Sequence, residues 1–140
     1  MSRVINICMK ISLFELAYRF LYPALRRRIV EILHKDFKLN QLKIAELLHI
    51  TQSAVSRYLN MNRGAILDLS RFPDIEQDIQ KLAKKIVNEE PNEYLIHQEF
   101  TRILLKALGK GYICSFHKKI DKEVDPSLCR TCINLFRDFI

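Results

Sequence analysis

Residues 39–60 read LNQLKIAELLHITQSAVSRYLN. The stretch holds two short runs with apolar residues at three- and four-residue spacings, separated by a break of three or four residues. Asn40 and Thr51 each stand where a side-chain oxygen can accept from an exposed amide at a helix start. The spacing predicts one helix over Gln41–Leu48 and a second from Gln52 to about Leu59. Along the second, the positions not required for burial are Gln52, Ser53, Ser56 and Arg57. Short donors and acceptors on the outer side of a helix suit a rod that enters the major groove and reaches base edges and phosphates. The plain alternative is an ordinary surface helix with a Thr-Gln-Ser cap.

Outward from this pair the chain keeps a helical rhythm. Ser12-Leu-Phe-Glu15 has the form of a capping box, with a helix expected through about Leu21. Pro23 then either kinks that helix or opens a new one, where its missing N–H costs nothing. Leu25, Ile29, Ile32 and Leu33 continue one face to about Lys35, with Arg26, Arg27 and Arg28 partly outside. A connector follows residue 60 and ends at Pro73. Ile75, Ile79, Leu82, Ala83, Ile86 and Val87 mark an amphipathic helix. Tyr94 to Leu108 marks another, stopped by Gly109 and Gly111. The apolar faces of these two helices are candidates both for a dimer contact and for the core of one chain. The last segment has a weaker pattern and holds three of the four cysteines.

With 140 residues, about half of them apolar, and only three glycines and four prolines, the sequence points to an all-α protein with a real core. The expected organisation is a helix-turn-helix DNA-binding unit over 1–72, a helical dimerisation or linker region over 73–111, and a Cys/His metal-binding module over 112–140. The run from Ile11 to Leu25 is broken by Glu15 and Arg19 and is too short to span a bilayer. With no charged start and cleavage site of a secretory signal, a cytoplasmic protein with no membrane partner is expected. The net charge is +7, and all of it lies in one half. Residues 1–72 carry 12 Lys/Arg against 5 Asp/Glu, whereas residues 73–140 carry 11 of each. That asymmetry marks the half containing the helix pair as the one facing a polyanion.

Gln41, Ala45, Leu48, Ile50, Thr51, Gln52, Val55 and Tyr58 give the helix pair a resemblance to the phage-repressor-like (Cro/CI, or XRE) regulators. In that pattern the first helix opens with Gln, keeps a small residue at its fifth position and turns at its ninth. Ala45 is small where the two helix axes cross, and Leu48, Ile50 and Val55 fill the wedge between them. His49 departs from the pattern, because the turn position favours glycine for its positive φ; histidine is among the residues that tolerate it better than most. A longer stretch, from Tyr22-Pro-Ala-Leu-Arg through Asn62-Arg-Gly64 with two further helices and a cysteine-bearing tail, is similar to a family of short archaeal transcriptional regulators. The resemblance implies a DNA-binding half joined to a dimerising, ligand-sensing half.

The expected DNA-contacting residues are Gln41, Thr51, Gln52, Ser53, Ser56, Arg57 and Arg63. Gln52 and Ser53, at the N-terminal end of the second helix, are the candidates for base contact, since glutamine can pair bidentately with adenine. Ser56 suits a base or a phosphate, and Arg57 and Arg63 suit phosphate. Gln41 would contact the DNA backbone, as its counterpart does in the resembled family. The Arg26–Arg28 run reads either as a further phosphate contact or as a solvated helix face. The partners implied are double-stranded DNA and a second copy of the chain.

Cys114-Ser-Phe-His117, eleven residues, and then Cys129-Arg-Thr-Cys132 form C-x2-H…C-x2-C. Two chelating pairs on turns joined by a short loop would suit tetrahedral zinc on Cys114, His117, Cys129 and Cys132. A second reading places an iron–sulfur cluster on Cys114, Cys129 and Cys132, with Cys8 an optional fourth ligand. A third leaves the cysteines buried and unligated. His34 and His97 read as packing or surface residues. No Gly-rich phosphate loop, Ser/His/Asp pattern or HExxH is present, and an enzyme is not expected. The rivals to a regulator are a zinc-containing protein–protein adaptor without specific DNA binding and an RNA-binding protein. The second lacks aromatics interleaved with its basic residues.

Overall fold

The computed structural model describes residues 10–60 and 64–139, and among these the chain is helical, with no β-strand. The Ser12 hydroxyl accepts from the Glu15 amide at 3.2 Å and opens α1 (Leu13–Leu16). The backbone runs on through a π turn, Ala17–Leu21, into α2 (Tyr22–Lys35), with the Tyr22 amide bonding to the Ala17 carbonyl five residues back. Pro23 lies in the first turn of α2. The widened turn before it takes up the misfit that a proline imposes on a continuing helix.

α2 is the spine of the molecule. Ala24, Leu25, Ile29, Val30, Ile32 and Leu33 are all buried, the four-residue stripe expected of an inward helix face. Against it lie α3 (Gln41–Leu48) and α4 (Gln52–Leu59), capped by the Asn40 and Thr51 side chains as the sequence predicts. A 3-10 turn over Leu69–Arg71 leads into α5 (Pro73–Glu89), and α6 (Glu93–Gly109) follows with Asn92 as its cap. Gly64 holds a φ of +73°, and a side chain there would strike the Pro23 carbonyl and the Arg27 Cβ. The connector can therefore lie on α2 only with glycine at this position.

The apolar faces of α5 and α6 are resolved as core. Ile75, Ile79, Leu82, Ala83 and Ile86 of α5 are buried, as are Ile96, Phe100, Ile103, Leu104, Ala107 and Leu108 of α6. One hydrophobic cluster runs from Leu16 to Ile113, so the segments 1–72 and 73–111 share a single interior. The tail joins it. α7 (Cys114–Ile120) and α8 (Thr131–Phe136) bring Phe116, Ile120, Cys132 and Phe136 against the same cluster. A side chain on Gly109 would meet the Phe136 carbonyl at 2.7 Å, so α8 ends directly on the α6 backbone. The weak pattern of the tail thus conceals two short helices, and Cys114 and His117 lie on one of them rather than on a turn.

Candidate nucleic-acid interface

α3 and α4 meet at Ala45, 6% exposed, with Leu48 and Val55 buried beside it and Ile50 packed on the core. His49 is in the left-handed region, φ 57° and ψ 41°, as the turn position demands. The Ile50 amide closes the corner on the Ala45 carbonyl at 3.1 Å. The His49 imidazole is also engaged: its Nε2 donates to the Pro91 carbonyl at 3.2 Å. Next to it the Lys43 ammonium meets Glu90 at 3.0 Å, which raises the Lys43 pKa through that hydrogen bond and its charge. The α5–α6 corner therefore grips the first helix and the turn of the pair.

On α4, Val55 and Tyr58 are buried while Gln52, Ser53 and Arg57 are exposed. The interior of the molecule covers one side of this helix and leaves the Gln52–Ser53–Arg57 side open to a ligand. Ser56 is half-buried and accepts from the Asn60 amide nitrogen at 3.2 Å. Thr51 is exposed, but its hydroxyl accepts from the Ala54 amide at 3.1 Å and so holds the helix start. Gln41 is half-buried at the first position of α3. Arg63 lies outside the described residues.

The Arg26–Arg28 run is mostly internal scaffolding. Arg28 makes a two-pronged contact to Glu76, at 2.8 and 2.7 Å, and so clamps α2 to α5. Burial pushes the Glu76 carboxyl up, but hydrogen bonds from Arg28 and Gln80 outweigh it and hold the group below the usual carboxylate range. The same bond to Glu76 raises the Arg28 pKa. Arg27 pairs with Glu31 at 3.0 Å, and the Arg26 guanidinium lies 4.6 Å from the centre of the Tyr22 ring. A bidentate arginine–carboxylate pair of this kind fixes geometry as well as contributing energy.

In the tail, Cys114, Cys129 and Cys132 are half-buried and free. Burial, then the neighbouring Cys114 and Cys129, pushes the Cys132 thiol up to about 11. The Cys114 thiol is raised by burial and by Cys129. The three thiols thus act on one another electrostatically, while the His117 ring is engaged elsewhere. Its ring is 7% exposed and Nε2 donates to the Ile11 carbonyl at 2.8 Å. Asp121 completes this tether, accepting from the Lys10 and Ile11 amides at 2.6 and 2.8 Å. The Ile11 bond is the foremost cause holding its carboxyl below the ordinary range. Among the described residues no group of three or more His, Cys, Asp or Glu side chains is gathered so as to hold a metal ion. Cys8 lies outside the described residues. The tether by His117 and Asp121 has no sequence signal, since its partners lie more than a hundred positions away.

Among the described residues no helix is long and apolar enough to cross a membrane. No curated protein and no solved structure matches the chain. Residues 24–61, which contain nearly all of α2 together with α3 and α4, match the family described as "Winged helix-turn-helix DNA-binding". No strand of a wing is present among the described residues; after α4 the chain passes instead into the connector held by Gly64. The unit of α2, α3 and α4 is a helix-turn-helix, similar over residues 24–61 to that DNA-binding family, at the front of an all-α fold.

Proposed function

We propose that the protein is a sequence-specific, dimeric transcriptional regulator whose α4 reads the major groove in the manner of the phage-repressor-like regulators. The observation that carries this reading is the division of α4, with Val55 and Tyr58 inside and Gln52, Ser53 and Arg57 outside. Gln52 and Ser53 contact bases, Arg57 contacts phosphate, and Gln41 approaches the backbone from α3. Two protomers set their α4 helices about 34 Å apart, one turn of DNA, on a two-fold-symmetric operator. The test is selection of a duplex from a random pool, followed by salt titration of its binding. A selected duplex that outcompetes random DNA by about a thousandfold or more supports the reading. Equal, weak and salt-sensitive binding to every duplex overturns it in favour of an adaptor.

For the tail, the spacing of Cys114, Cys129 and Cys132 in the sequence supports a thiophilic metal, zinc or an iron–sulfur cluster, as a structural or sensory centre, although the described side chains are not gathered to hold one. All three sulfurs are of the soft type such centres take. Their protons must leave on binding, so loading is steeply pH-dependent. His117, bonded to the Ile11 carbonyl, serves as an anchor in this arrangement. Elemental analysis and a visible absorption spectrum after anaerobic purification test it: one zinc per chain or a brown chromophore supports the centre, and a colourless, metal-free protein overturns it.

A further inference from the structure

Three of the seven exposed large apolar side chains among the described residues gather at one place beside the helix-turn-helix. Phe14 (79% exposed), Tyr18 (81%) and Ile66 (74%) line a single groove of about 950 Å³, with Tyr22, Pro23 and Tyr58 forming much of the remainder. Grouped apolar side chains rimmed by charge of this kind can mark a contact surface. The residues beside it give it a polarity. Glu15 and Arg19 are also exposed, each one position after Phe14 and Tyr18. The start of the first helical rod therefore presents two parallel stripes one helical turn long, an aromatic one (Phe14, Tyr18) and a charged one (Glu15, Arg19). Each stripe is its own complement when the rod is laid antiparallel on a copy of itself. Phe14 then faces the partner's Tyr18, and Glu15 faces the partner's Arg19, with each pairing made twice. That is the condition a two-fold contact imposes, the same patch on both subunits. Duplex DNA could use Arg19 and Arg26 of this groove but would meet Glu15 beside them, whereas a second copy uses charges of both signs. The faces of α5 and α6, the other candidates for a contact between copies, are used up in the core.

We propose that the Phe14–Arg19 rod, with Ile66 at its edge, is the surface on which two copies of this chain associate. The inference rests on the dimeric-regulator reading for its need of a second copy, and it supplies the face that reading lacks. Aromatic anchors in a groove provide most of the energy at such contacts, while the charged pairs fix the orientation.

Charge reversal gives the test, by analytical ultracentrifugation of the full chain. Glu15→Arg sets the introduced arginine against the partner's Arg19, and Arg19→Glu sets two carboxylates together. Each single variant is expected to raise the dimer dissociation constant tenfold or more, and the double variant Glu15→Arg/Arg19→Glu is expected to restore it. Tyr18→Lys, which removes an aromatic anchor, is expected to give a monomer. A monomeric wild-type chain, or a dimer indifferent to both single reversals, overturns the proposal. Duplex binding is measured separately. A dimer that obeys the charge pattern but ignores DNA leaves this contact standing and removes the regulator reading. Selective DNA binding by a chain indifferent to the reversals does the opposite.

Discussion

At the scale of single residues, two kinds of contact are proposed for the exposed side of α4. Gln52 stands exposed at the first position of the helix, the place proposed for base contact. Gln52→Ala is expected to cost on the order of 1–3 kcal/mol at the selected duplex and to flatten preference at one base pair. Unchanged specificity in a repeat selection would remove Gln52 from base reading. Arg57→Ala is expected to weaken binding to all duplexes alike and to reduce the slope of log K against log salt by about 0.9. A loss confined to the selected sequence would place Arg57 on a base instead. The outward placement of both residues was legible in the sequence, because it follows directly from the spacing of Val55 and Tyr58. The role of Thr51 was half legible: its cap is observed at 3.1 Å, which commits the hydroxyl to the Ala54 amide.

At the scale of elements, local signals were accurate and distant pairings were invisible. The Asn40 and Thr51 caps place the starts of α3 and α4 where the sequence sets them, since a cap acts within three residues. The left-handed turn at His49 was equally local. By contrast, Arg28 and Glu76 are 48 positions apart, and no periodicity announces that one will clamp the other. The tether of Lys10 and Ile11 by Asp121 is of the same kind, and it carries a pH dependence whose sign follows from its chemistry. The folded Asp121 carboxyl lies below its ordinary value, first through the Ile11 amide. Its contribution is therefore present above the ordinary carboxylate value of about 4 and is lost as pH falls through the depressed one. Asp121→Asn is expected to lower the urea midpoint at neutral pH, with the gap to wild type closing in strong acid. A gap that persists unchanged into acid would show that the charge is not what holds the start of α1.

At the scale of the molecule, composition divides the chain more sharply than packing does. The basic excess ends at residue 72 and three of the four cysteines gather after 112, yet one hydrophobic cluster extends from Leu16 to Ile113 and the tail packs on it. A fragment of residues 1–72 would strip α5 from α2, leaving the Ile29–Leu33 face uncovered and Arg28 without Glu76. It is expected to lack a cooperative thermal transition and to show poorly dispersed amide resonances, whereas the full chain is expected to melt as one unit. A well-dispersed spectrum from the fragment would show that the three-helix unit carries its own core. Charge and cysteine content revealed what the chain holds; the sharing of the interior depends on contacts between distant segments, which no single stretch of sequence encodes.

His49 joins two of these scales. Its backbone occupies a conformation that glycine would enter with less strain, and its ring holds the Pro91 carbonyl. A glycine there would ease the bend and cut the attachment in the same stroke. The helix pair is thus braced against the α5–α6 corner by an imidazole strut as well as by the Lys43–Glu90 ion pair.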